Sequence, residues 1–329
     1  TIVSCIKAGC NDYITKPFST DKVIKKLTEN GFAVDTGNPD MQAAAHAGAA
    51  PSPLDTVIAR FNRGEVDLPP LPLIQRKFYE LIRSGASLRA IGDLLRQDPA
   101  ISSKLIRVSN SAFYRGFMDN VTVEQAINRL GLTATKQTVD TIAGRTLFDE
   151  ANAHYAEVVE RLWEHSLSCA HACHVISDLR GLRLSEDPFT MGLLHDIGKL
   201  MLLRVVGELE KSGARDVVGD AQALMAAVET HHGKAGGVLL KKWLFPAAYV
   251  QAAELHDDVG NVLNPGRELL VVHLANVIVK SMGYGCPNPP GVEPESLESL
   301  DILRLHPSMV QIVKDHVKTR MEELREYLG

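Results

Sequence analysis

From Pro53 to the end of the chain, apolar residues recur every three or four positions, the period of a helix with one buried face. Leu54, Val57, Ile58 and Phe61 form the first such face, closed by Gly64. Leu68-Pro69-Pro70-Leu71-Pro72 is a stiff, extended entry to the next, which carries Leu73, Ile74, Phe78, Leu81 and Ile82. Boundary residues separate the periodic stretches. Ser87 is suited to cap a helix holding Leu88, Ile91, Leu94 and Leu95. Asp98-Pro99 opens another, through Ile101, Leu105, Ile106 and Val108 to Asn110-Ser111. Thr122 and Gln125 have capping-box spacing before Ala126, Ile127 and Leu130, and Gly131 is predicted to end that helix. Further helices are predicted over Val158–Leu182, from Pro246 to about His256-Asp257-Asp258, and over Arg267–Met282. Gly and Pro make Gly283–Pro294 a loop. Val310, Val313, Val317, Met321, Leu324 and Leu328 mark a final amphipathic helix, packed on its own core or on a second copy. No alternating strand pattern and no fixed-period repeat follows residue 53.

The first 53 residues read differently. Ile2–Ala8 resembles the end of a helix stopped by Gly9, Asp12–Thr15 has strand character, and Ser19 or Thr20 can cap a helix through Leu27. This is a helix, a strand and a helix with no sheet to join. Residues 33–53 are rich in Ala, Gly and Pro and are expected to form a flexible linker.

Composition changes this picture little. The chain has 329 residues, 45% hydrophobic and 23% charged, as in ordinary globular proteins. A net charge of −5 and no basic stripe with interleaved aromatics argue against nucleic acid as a partner. No apolar run approaches the roughly 20 residues that span a bilayer. Thr1–Ala8 has no basic segment leading into an apolar core, so no secretory signal is read there. The five cysteines lack a disulfide pattern, and a cytoplasmic location is expected.

Candidate chemistry centres on Met191–Leu200, where His195, Asp196 and Lys199 interrupt an apolar run. On a continuous helix His195 and Lys199 share a face, and Asp196 lies about 100° away. Neutral imidazole beside carboxylate is a pair of metal ligands, and Lys suits a phosphate. The same residues also suit a core helix with locally satisfied polar groups. His165, Cys169 and Cys173 lie on one helical stripe, readable as a soft metal site or as small side chains packing a helix interface. His231, Asp257 and Asp258 read most simply as helix-end and turn residues, and Asn110-Ser111 as the buttress of a turn.

Two family resemblances organise these observations. Ala8–Phe18 resembles the closing segment of a response-regulator receiver domain, which implies a phosphoryl-contacting role for Lys16, before Pro17. The acidic pocket of such a domain would lie upstream, so Lys16 is not expected to function here. Leu68–Pro72, Gln97–Tyr114, Ala126–Gly131, Gly192–Leu200, Gly236–Pro246 and the stretch around Ala275 resemble, in order, the signatures of the HDOD domain. That family is an all-helical signalling relative of the HD phosphohydrolases. The resemblance implies a pocket in which His165, His195, Asp196, His232 and His256 are candidate ligands of a divalent metal such as iron, manganese or zinc. Lys199 is then the candidate phosphate contact. The family's late Asp falls at Asn276, whose neutral amide is a poorer cation ligand.

The expected plan is an all-α, multi-helix HDOD/HD-like domain with a short α/β receiver fragment. Residues 1–32 form the fragment, 33–53 the linker, 54–285 the helical domain, and 286–329 a loop and helical extension. The expected function is a non-enzymatic output module of bacterial two-component signalling. It would act through contacts with signalling proteins, under an upstream histidine kinase where a full receiver exists, with a homodimer as one arrangement. The competing expectation is a metal-dependent phosphohydrolase or cyclic-nucleotide phosphodiesterase using the same pocket.

Overall fold

In the computed structural model of the chain, the caps read from the sequence start their helices. Ser87 accepts a hydrogen bond from the Ala90 N–H, and Asp98 accepts from Ala100 and Ile101. Thr122 and Gln125 form a reciprocal box: the Gln125 N–H donates to Thr122 Oγ1 and the Thr122 N–H to Gln125 Oε1, both at 3.2 Å. The structure describes residues 59, 70–114, 116, 118–149, 155–211, 221–285 and 292–328. The receiver-like segment with Lys16, the linker and the helix expected at Leu54–Phe61 lie outside these, apart from Ala59.

Twelve helices run through the described residues: α1 (Leu73–Arg83), α2 (Leu88–Leu95), α3 (Pro99–Ser109), α4 (Val123–Asp149), α5 (Ala156–Arg180), α6 (Pro188–Leu194), α7 (Ile197–Lys211), α8 (Ala221–Lys242), α9 (Ala247–Leu255), α10 (Arg267–Ser281), α11 (Glu298–Leu303) and α12 (Met309–Leu328). Short 3₁₀ turns occur at Val259–Asn261 and Pro294–Ser296. Among the described residues there is no strand. No described helix is long and apolar enough to cross a membrane.

One expectation holds and one is corrected. Gly131 ends its helix as expected: with φ at 73° and ψ at 173° it breaks the helical path, and a second helix follows at once to Asp149. Glycine tolerates this left-handed φ without the Cβ clash other residues incur. The Met191–Leu200 run is two helices, with His195 and Asp196 as the two-residue junction between α6 and α7.

The described residues pack around two apolar cores. Phe78, Leu95, Leu105 and Ile127 centre the first, built by α1 to α4. The second draws on α5 to α12 and includes Phe189, Met191, Leu200 and Val272. Val310, Val313, Val317 and Met321 of α12 are buried in it, so the chain covers this amphipathic face itself. Asn110 buttresses a turn: its Nδ2 donates to the Asn120 carbonyl and its Oδ1 accepts from the Asn120 N–H, both at 2.8 Å.

Candidate metal centre

Five helices deliver one polar cluster to the interior of the second core. His165 comes from α5, His195 and Asp196 from the α6–α7 junction, His232 from α8, and His256 from the end of α9. All are buried, as is Asn276 of α10. Close helix crossings permit this convergence. A Cβ on Gly192 would lie 2.7 Å from the Cys169 carbonyl oxygen, and one on Gly198 would lie 1.9 Å from that of His232. Glycine therefore lets α6 approach α5 and α7 approach α8 with backbones in contact.

Every histidine is oriented through Nδ1. That atom donates to the Tyr284 carbonyl from His165 (3.1 Å), to Gly192 from His195 (2.8 Å), and to Glu229 from His232 (2.7 Å). His256 Nδ1 faces the carbonyls of Ala252 and Ala253, each at 3.1 Å. In its neutral form an imidazole carries one proton, so these bonds turn Nε2 of each ring inward as the acceptor. Those acceptors face one another: His165 to His195 at 3.3 Å, and His232 to His256 at 3.3 Å.

Asp196 stands between the two pairs. Its Oδ2 is 3.4 Å from His165 Nε2 and 3.5 Å from His195 Nε2, and its Oδ1 is 3.3 Å from both His232 and His256. Lys199 Nζ lies 3.0 Å from Oδ2, within ion-pair distance but off the hydrogen-bond direction, since neither Asp196 oxygen accepts a well-directed bond. Burial would raise the Asp196 pKa, but the Lys199 charge holds it well below the ordinary carboxylate value. Burial drives His195 well below its ordinary value despite Asp196. Burial also opposes charge on His256, yet bonding to Asp196 and Asp257 raises it to about 9, so without a metal ion a proton on His256 Nε2 supplies the positive charge there, and a metal ion would displace it.

Imidazole lone pairs gathered on a buried carboxylate repel unless a proton or a metal cation lies among them. A divalent metal fits this donor set, because imidazole and carboxylate are its ordinary ligands and the backbone bonds fix which nitrogen is offered. The separations between donors are also those of ligands around a shared ion. His165, His195 and Asp196 offer one group, and His232 and His256 face the other oxygen of Asp196.

Four more residues singled out in the sequence lie in this region. Lys199, the candidate phosphate contact, is buried and paired with Asp196 and, at 3.0 Å, with Glu229. Cys169 Sγ is 3.6 Å from His165 Nε2, and burial raises its thiol pKa well above normal. Cys173 is buried, with its Sγ 3.9 Å from the Val271 carbonyl. Asp257, read as a turn residue, places Oδ2 3.4 Å from both His232 and His256 Nε2. One signal was present for it: His256-Asp257 repeats the dipeptide His195-Asp196. Asn276 does not point its amide nitrogen at the histidines but donates it to Asp257 Oδ1 at 2.8 Å. Lys280 of α10 completes the group, 3.2 Å from the same oxygen.

A cleft of about 250 Å³ reaches His165, Asp196 and Lys199. Its walls include Leu162, Val228 and Met225, with Arg161 and Lys280 adding positive charge.

Comparison with known proteins bears on this arrangement. Residues 68–259 match the HDOD domain family. No curated protein matched the chain. Among solved structures, a candidate metal-dependent phosphohydrolase from Shewanella amazonensis is 24% identical, with 80% of this chain and 97% of that one covered at a TM-score of 0.62. An HDOD domain protein of unknown function from Geobacter sulfurreducens is 20% identical, covering 83% and 96%, at 0.65. A candidate signal transduction protein from Marinobacter aquaeolei is 19% identical, covering 83% and 64%, at 0.61. At these identities the three establish a shared fold.

Proposed function

Because the chain belongs to the HDOD family, we propose that it is a signal-transduction output module whose pocket binds a divalent metal and, beside it, a phosphate-bearing ligand. One observation carries the reading: four imidazoles tied through Nδ1 turn their Nε2 atoms onto a single buried carboxylate. His165, His195 and Asp196 would hold one ion, and His232 and His256 face the position of a second. Iron, manganese and zinc all suit imidazole–carboxylate sites. When bound, such an ion lowers the pKa of coordinated water and draws charge from a phosphoryl oxygen.

The protein's own groups give the ligand its class. Lys199 remains charged, since Asp196 and Glu229 raise its pKa against the effect of burial. Lys199, Arg161 and Lys280 make the cleft attractive to an anion, while Leu162 and Val228 give it apolar walls. Ligand binding would change the helical surface seen by signalling proteins, in the cytoplasm and under a histidine kinase where a receiver is present.

A second reading, phosphoester hydrolysis, is favoured by the cleft opening directly onto Asp196 and Lys199. Metal analysis after reconstitution, combined with a screen of nucleotides and phosphodiesters, tests both. Bound metal in the wild type and its loss in His195→Ala are expected. A wild type that takes up none of the three metals overturns the metal pocket, and turnover lost with His195→Ala would establish the enzymatic reading.

A further inference from the structure

We infer that Asp257 is the terminal carboxylate ligand of a second cation, held with His232, His256 and Asp196, and that Asn276 positions it. The inference rests on the metal-pocket reading above and deepens it.

The two oxygens of Asp257 have different surroundings. Oδ1 accepts from Asn276 Nδ2 at 2.8 Å and is 3.2 Å from Lys280 Nζ. Oδ2 has neither donor and lies 3.4 Å from His232 Nε2 and from His256 Nε2. One oxygen is tethered and the other is offered to the same nitrogens that face Asp196 Oδ1. Those nitrogens have their Nδ1 protons committed to backbone carbonyls. The resulting set is two imidazole nitrogens and two carboxylate oxygens, a complete four-donor shell for a divalent ion.

Charge leads to the same assignment. Two divalent ions among neutral imidazoles would share a single carboxylate, Asp196, which Lys199 already partly neutralises. Asp257 adds the second negative charge where the second ion would lie. Its side chain is 41% exposed, so this side of the cluster is reachable from solvent. Asn276 cannot ligate through the nitrogen it turns toward Asp257. With Lys280 one turn further along α10, it forms a bracket on one helix face that fixes the carboxylate. The neutral residue at 276 therefore does not leave the cluster short of a carboxylate: the acid is one residue after His256, and the amide holds it.

The full chain, stripped and reconstituted with Mn²⁺, tests this by metal stoichiometry and electron paramagnetic resonance. The wild type is expected to bind two ions, magnetically coupled through Asp196. Asp257→Asn is expected to lose the second ion and show the spectrum of an isolated one. Asn276→Leu, which keeps the carboxylate and removes a tether, is expected to weaken the second ion about 10- to 100-fold while leaving the first unchanged. Circular dichroism of the metal-free variants checks folding, and Asn276→Leu decides the matter should Asp257→Asn not fold. A wild type binding only one ion, or both variants retaining two coupled ions at unchanged affinity, overturns the inference and leaves the metal pocket standing. A wild type binding no ion overturns both.

Discussion

An imidazole that gives its Nδ1 proton to a carbonyl presents a lone pair on its other side, and the environment there sets its role. In the central cluster four such lone pairs meet a carboxylate. His171, on the same helix as His165, shows the contrasting case. It is buried edge-on against Phe189, with ring centroids 5.1 Å apart, and its Nε2 has no partner. Burial, reinforced by the charge of Arg320, holds its pKa well below 6.5. The folded state therefore keeps His171 neutral while the unfolded chain takes up a proton below pH 6.5. The stability this neutrality preserves is fully present above pH 6.5 and declines as pH falls. His171→Phe is expected to remove up to about 1.4 kcal/mol per pH unit from that decline. Urea denaturation of both proteins at pH 7.5 and 5.5 measures it, and equal pH dependence would reject the assignment. Any overpacking by the larger ring is independent of pH and cancels in the comparison.

At the scale of elements, the crossings on either side of the His195-Asp196 junction set the geometry. Gly198 lies against the backbone of α8, where an added Cβ would meet a carbonyl oxygen and the Gly236 nitrogen at 2.5 Å. Neither atom belongs to a side chain that could rotate away. Gly198→Ala is expected to cost about 3 kcal/mol or more and, by forcing α7 and α8 apart, to weaken metal binding. Gly260, with open space around its Cβ position, is the control, and Gly260→Ala should stay within about 0.5 kcal/mol of wild type. Thermal or urea denaturation of the two variants compares them directly; similar losses would mean the crossing is not the constraint described.

At the scale of the whole described unit, one polar network connects the two apolar cores. Asp140 of α4 is fully buried; its Oδ1 accepts from the Tyr79 hydroxyl at 2.7 Å and its Oδ2 from Thr190 at 2.6 Å. Lys136 Nζ joins it at 2.7 Å and also reaches Asp187, the N-cap of α6, at 2.9 Å. The network thus fixes α1 and α4 to the start of the helix that leads to His195. Lys136→Met leaves a buried carboxylate uncompensated and is expected to cost about 3–5 kcal/mol. Adding Asp140→Asn removes that charge and should recover part of the loss, which a double-mutant cycle by urea denaturation would show. Strict additivity of the two substitutions would contradict the coupling.

Much of the helical plan was legible because its signals are local. Ser87, Asp98 and the Thr122/Gln125 box act within four residues of themselves, and the apolar period needs no knowledge of the partner. Gly131 was legible as the end of a helix, but not that a second helix follows directly, because that depends on the surface the next residues pack against. Within the site, residue types and the His-Asp dipeptide were readable, and their assembly was implied by family resemblance. Asp257 was read as a turn residue because the group that defines it, Asn276, lies 19 positions away. The sequence by itself determined a helical plan from residue 54 onward that carries imidazoles and carboxylates among its apolar faces. Only the tertiary structure decided which oxygen of Asp196 each histidine faces and that Asp257 joins them, because helix crossings, not spacing along the chain, set those few ångströms.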